Sequence, residues 1–271
     1  MPTTTTNHPS LLRTFWANAL LAPRTSLGFM RIDFILGTIF IIPLTQMAFF
    51  AFVANLTSDP ATTIPYVVVG NAVATVTYSS VFSVCQTTDS EKQQGTMEHL
   101  LVSPANRLAM FLGRGVIPIL ISIATASVAL TYAVVIFHVP FDPAGLPFLA
   151  ISILLTAFSM VGFGLMLGGV ALYLRTSIIL GNIFLFVGLL LSGANFPLDQ
   201  LPLPAQWVGD LLPLTWGIAA IRDAMVGQGL GTLWMPWAFV TIGGIVSITL
   251  ALTLWRVFER RALSTGSIAR F

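Results

Sequence analysis

The chain has 271 residues, 56% hydrophobic and only 8% charged, with a formal net charge of +2. Soluble domains carry about 25% charged residues, so a fold this apolar cannot solvate its own surface, and the composition is that of an integral membrane protein. The small net charge gives no reason to expect nucleic acid; the single cysteine, Cys85, excludes an internal disulfide or cysteine metal cage, and His8, His99 and His138 lack ligand spacing.

From the N-terminus, residues 1–10 read as a polar, threonine-rich tail. Residues 11–22 pair apolar positions at a spacing of four (Leu11/Leu12, Phe15/Trp16, Ala19/Leu20) opposite Arg13, Thr14 and Asn18. This predicts an amphipathic helix in the membrane interface, with Leu12, Phe15 and Trp16 in the apolar layer. The plainer alternative is a cytoplasmic extension of the first span, although Pro23 favours a break. Arg13 and Asn18 interrupt the apolar stretch before Pro23, so no removable signal peptide is expected.

Apolar runs long enough to cross a hydrocarbon core of about 30 Å predict six helical spans. They lie near residues 32–55, 65–87, 108–137, 146–174, 178–195 and 233–257, leaving 258–271 as a tail. An even number of spans puts both ends on one side. The segments on that side hold Arg13, Arg24, Arg31, Lys92, Arg107, Arg114, Arg175, Arg256, Arg260, Arg261 and Arg270, whereas the opposite segments hold only Arg222, with Asp59, Asp142, Asp199, Asp210 and Asp223. The bias predicts cytoplasmic termini. No carboxylate or histidine falls mid-span, which argues against an ion- or proton-coupled carrier.

The charges gather between the second and third spans, in DSEKQQGTMEHLLVSP, residues 89–104. The second span can continue as a polar helix through Gln93, and Gly95 suits a stop. Thr96 can cap a short helix with Glu98 in its first turn, and Met97, Leu100 and Leu101 then share a face. Ser103-Pro104 fits the start of the third span. The stretch reads either as a docking surface for another protein or as a solvated loop carrying the topology signal. A solvated loop needs no apolar face.

Within the spans, Gly164 and Gly168 form a small-xxx-small pair suited to close helix packing. Thr45 and Gln46 in the first span, Asn71, Thr75 and Tyr78 in the second, and Asn182 and Asn195 in the fifth supply the polar atoms. Each reads first as a helix–helix hydrogen bond and second as a candidate pathway contact. Residues 196–226 contain Pro197, Pro202, Pro204 and Pro213 and cannot form one helix. They predict two short helices dipping into the outer leaflet, with Trp207 and Trp216 at its interface and Ile218, Ile221 and Met225 on one face, away from Arg222 and Asp223. The glycine-rich run 227–231 follows no strand, so it is read as a turn and not a nucleotide loop.

Residues Glu91 to Pro104 resemble the E-(K/R)-x-x-G-T-x-E-x-L-x-x-(S/T)-P signature of ABC-2 type permeases, the membrane subunits of type V ABC exporters. SGANFPLDQLP, LLPLTW and IRD, between Ser192 and Asp223, are similar to that family's outer hairpin. The resemblance implies an all-α integral membrane fold with six transmembrane helices in a single domain over residues 1–271. Glu91, Gly95, Thr96, Met97, Glu98, His99, Leu100 and Leu101 would be the coupling helix on an ATPase subunit, with the interfacial helix against the same subunit. Phe196, Pro197, Pro213 and Trp216 would belong to re-entrant helices gating the exit. The chain has no GxxxxGK[ST] loop. ATP and Mg are therefore expected on a separate nucleotide-binding chain in two copies, and no cofactor, metal or catalytic residue in this one.

The implied assembly pairs this chain with a second permease, the same chain or a paralogue, in a bacterial cytoplasmic membrane. Relatives export amphipathic drugs, lipids or lipid-linked polysaccharides. The mostly apolar lining with four tyrosines favours amphipathic small molecules, drugs or lipids, ahead of glycans. An ion-coupled carrier or a membrane enzyme is the reading from another class.

Overall fold

The structure is a computed structural model that describes residues 35–93, 107–171 and 177–265. All regular secondary structure among them is helical. The main helices are α1 (Ile42–Ala54), α2 (Pro60–Gln93), α3 (Arg107–Val135), α4 (Leu146–Ala171), α5 (Ser177–Leu191), α6 (Leu203–Leu211), α7 (Pro213–Met225) and α8 (Leu230–Thr265). Five stretches are long and apolar enough to cross a membrane: Gly37–Ala54, Pro60–Gln86, Gly115–Val135, Pro143–Val170 and Leu230–Val257.

Helix α1 is entered through a π-turn, Gly37–Ile41, in which the Ile42 N–H donates to the Gly37 carbonyl. Pro43 explains it. A proline ring clashes with the carbonyl four residues back, and widening the preceding turn relieves the clash. Helix α2 begins at Pro60, five residues before the predicted start, with Pro65 inside. Asp59 accounts for the early start: its carbonyl accepts from the Thr63 N–H at 3.2 Å and its carboxylate from the Thr62 hydroxyl at 2.7 Å. The helix then runs to at least Gln93, the extension the sequence predicts.

Helix α2 is the hub. In its apolar window 83% of residues are buried, against 22% for α1 and for α8. It packs against α1, α3, α4 and α5. Valines and alanines (Val68, Val69, Ala72, Val73, Val76) provide its core face, with Met47, Ala129, Met160, Leu214 and Ile221 around them. Gly164 of α4 faces Val81 of α2, where a methyl group would come within 3.1 Å of the Val81 Cα. The small residue there serves packing within the bundle.

Two expectations change. The fifth predicted span, 178–195, is helical only to Leu191; α5 has 15 residues, about 22 Å at 1.5 Å per residue. Beyond it Gly193 takes φ +72° and the chain bends. Second, α7 has no free face of any size. Pro213, Leu214, Thr215, Gly217, Ile218, Ala220, Ile221, Ala224 and Met225 are all buried. Small residues let it be surrounded: Gly217 lies against Thr156 of α4. The second of the two short helices predicted to dip into the outer leaflet is thus packed into the core of the bundle.

The connection 136–145 and the segment 192–229 meet at one end of the bundle, where the Asp142 N–H donates to the Met225 carbonyl at 2.9 Å. Tyr66, near the start of α2, meets Gly193 at the same end.

Candidate functional site

The first, second and fifth predicted spans bring their amides together. Gln46 Nε2 of α1 donates to Asn71 Oδ1 of α2 at 3.1 Å, and Asn71 Nδ2 donates to Asn195 Oδ1 at 2.7 Å and to the Val67 carbonyl at 2.9 Å. Asn71 is fully buried and its amide is engaged on both sides. Gln46 and Asn195 are only partly buried.

The other candidate residues separate. Thr75 is buried and donates to the Ala72 carbonyl of its own helix at 2.6 Å. Thr45 is exposed and donates to the Ile41 carbonyl at 2.8 Å. Asn182 is partly buried on α5. Tyr78 stacks on Phe82, ring centroids 5.1 Å apart. These rings line a small cleft with Ile35, Thr38, Ser79, Ser83, Gln86 and Ile121, between the start of the first span, α2 and α3. The cleft holds only about 30 Å³, room for a water molecule and not for an organic ligand. A larger groove of roughly 420 Å³ lies between α3 and α4, its mostly apolar lining interrupted by Ser127 and Thr131.

Around the predicted gate, Pro213 is buried, while Phe196, Pro197 and Trp216 are partly buried. Thr215 Oγ1 donates to the Gly209 carbonyl at 2.6 Å, and Trp216 Nε1 to the Asp210 carbonyl at 2.8 Å. Both bonds satisfy carbonyls left over at the end of α6 and fix the tight turn into α7. Trp216 also stacks on Phe239 of α8, centroids 4.3 Å apart.

Arg222 carries no role in the sequence reading. The structure turns it inward, against the segment that follows α5. Nη1 donates to the Gly193 carbonyl at 3.0 Å, and Nη2 to the Tyr66 carbonyl at 2.9 Å and the Ala194 carbonyl at 3.2 Å. The guanidinium carbon lies 3.5 Å from the centroid of the Tyr66 ring, a cation–π arrangement. Tyr66 Oη donates to the same Gly193 carbonyl at 2.9 Å. The Nε–H is buried without an acceptor. Burial pushes the Asp223 carboxyl above the usual carboxylate range, and the neighbouring guanidinium pulls it back. The signal for Arg222 in the sequence was its isolation: it is the single basic residue in the segments that hold Asp59, Asp142, Asp199, Asp210 and Asp223.

The coupling residues Gly95, Thr96, Met97, Glu98, His99, Leu100 and Leu101, and Leu12, Phe15 and Trp16 of the interfacial helix, lie outside the described residues. Glu91 falls in the last described turn of α2. Among the described residues there is no cluster of His, Cys, Asp or Glu that could hold a metal ion.

Comparison with known proteins agrees with the arrangement. A family model described as ABC-2 type transporter matches residues 17–226. Over 149 residues, 53% of this chain, it is 26% identical to the "Probable multidrug ABC transporter permease YbhR" of Escherichia coli, covering 40% of that protein. Over 68 residues, 25% of this chain, it is 37% identical to "Nodulation protein J" of Rhizobium leguminosarum bv. viciae, covering 26% of it. The matches thus span less than half the length of these curated relatives.

Proposed function

The chain belongs to the ABC-2 type transporter family, and from that premise we propose that it is the membrane-spanning permease of an ATP-driven exporter of amphipathic small molecules, drugs or lipids. The family implies an ATPase partner. The proposal adds two ATPase copies and a second permease, the same chain or a paralogue, in a bacterial cytoplasmic membrane. The acidic end that holds Asp59, Asp142 and the 192–229 segment would face outward, and the Gln93 end of α2 the ATPase.

One observation carries the substrate reading: the groove of roughly 420 Å³ between α3 and α4, whose apolar lining includes Phe141 and the hydroxyls of Ser127 and Thr131. Aromatic and apolar surface with a few hydrogen-bonding groups recognises amphiphiles, and the Escherichia coli relative bears a multidrug name. In the six-span arrangement, α5 and the buried bend after it together make one crossing. Non-helical backbone at membrane depth is tolerated only where protein satisfies it, and Arg222 and Tyr66 do so here.

Coupling is assigned to residues 95–101. Met97→Asp and Leu100→Asp place charge on the apolar docking face. Each should lower amphiphile transport about tenfold or more while leaving membrane insertion intact. Transport by both variants at the unaltered rate would remove the coupling role from this stretch.

A further inference from the structure

We propose that Arg222 is a positioning residue that ties α7 and the segment 192–196 to α2, so that the three move as one body and carry displacement from the Gln93 end of α2 to the opposite end of the bundle. This rests on the permease reading above.

The geometry supplies a rod and its fastening. Helix α2 has 34 residues, about 51 Å at 1.5 Å per residue, so it spans the bundle from the Tyr66 end to the stretch assigned to the ATPase. At the Tyr66 end, four contacts hold the segment after α5. Arg222 grips the Gly193 and Ala194 carbonyls from α7. Tyr66 Oη grips the Gly193 carbonyl from α2. Asn71 holds the Asn195 side chain at 2.7 Å. At Gly70 the backbone of Ala194 comes so close that a methyl group would overlap its carbonyl. Arg222 also reaches across to the Tyr66 carbonyl itself at 2.9 Å, so a single guanidinium joins three elements.

Such a fastening persists through a transport cycle. The bonds are charge-assisted and partly buried, where water competes less. Releasing the guanidinium would leave a charge unpaired inside the bundle. Motion therefore finds its soft points elsewhere, and the outer segment follows α2. The function needs a fork: three carbonyls on two segments are reached by a planar group with several fixed donors, which a lysine ammonium does not reproduce.

The test uses the full chain with the ATPase that co-purifies with it, in proteoliposomes loaded with a fluorescent cationic amphiphile. R222K keeps the charge and loses the fork. ATP turnover should stay within about twofold of the unaltered complex while transport falls about tenfold or more. Y66F keeps the ring and loses one donor, for a loss of about threefold. Spin labels at Ala61→Cys and Asp199→Cys, both exposed positions, with buried Cys85 replaced by Ala, report the tie directly. Their separation should be the same without nucleotide and with ATP, and should become nucleotide-dependent in R222K.

Transport by R222K at the unaltered rate would overturn the proposal, as would an Ala61–Asp199 separation that changes on ATP binding with Arg222 in place. If R222K fails to assemble, Y66F and the labelled unaltered chain decide. A complex that hydrolyses ATP and moves no amphiphile in any form refutes the substrate reading instead, and the spin-label distances still judge the tie.

Discussion

A buried amide between membrane helices must send its hydrogen bonds to other helices or to its own backbone, and Asn71 does both. Bonds of this kind average about 0.6 kcal/mol and reach about 1.7 kcal/mol. Asn71→Ala should therefore cost about 1–3 kcal/mol in unfolding, read as a lower thermal midpoint. Gln46→Ala and Asn195→Ala each remove one bond from a partly exposed side chain. Asn195→Ala should barely move the midpoint, because Asn71 Nδ2 keeps the Val67 carbonyl. Gln46→Ala should lower it by leaving the buried Asn71 Oδ1 without its donor. Both should shift the amphiphile concentration that half-maximally stimulates ATP turnover by about threefold or more. An unchanged stimulation profile in both would take these amides out of the pathway. At this scale the sequence marks polar residues but not their partners. Asn71 and Asn195 are 124 residues apart, and nothing local in either tells of the other. Arg222 was hidden for the same reason, since its acceptors are backbone carbonyls, which carry no residue-type signal.

Helices tolerate substitution where neighbours leave room, and two glycines set the contrast. Gly70 of α2 faces the Ala194 carbonyl, whereas Gly231 at the start of α8 has nothing within 4 Å of an added methyl group. Gly70→Ala must push the 193–195 segment away, a cost of about 1–3 kcal/mol or more, and should lower both midpoint and transport. Gly231→Ala should be neutral or stabilise by up to about 1 kcal/mol through helix propensity. Equal behaviour of the two would mean that α2 and the outer segment do not touch as described. The long helices were legible because each is an apolar run bounded by polar turns. The end of α5 is written in Ser192-Gly193, a turn pair whose glycine takes φ +72°, although the predicted span runs past it to residue 195. The full burial of α7 was silent: its amphipathic pattern fits a helix that dips into the outer leaflet, and the close packing of Gly217 on Thr156 is a property of its neighbours.

Across the whole molecule, charge and enclosure divide the chain by function. The carboxylates Asp59, Asp142, Asp199, Asp210 and Asp223 accompany the end where α2, the bend after α5 and α7 are fastened. Eleven of the twelve lysines and arginines belong to the other set of segments, which the permease assignment places toward the ATPase. The family was legible in the spacing of the motif at residues 91–104, the stretch that the proposal places against the ATPase. The fastening at Tyr66 and Arg222 depends on tertiary geometry and emerges only with the fold. The central claim is that transport by this chain draws on a separate ATPase. The most direct measurement is uptake of a fluorescent amphiphile into inside-out proteoliposomes containing the chain with or without its co-purified ATPase. Uptake should require both chains and hydrolysable ATP, and should vanish with a non-hydrolysable analogue. Uptake by the chain alone, driven by an ion gradient and indifferent to ATP, would contradict it.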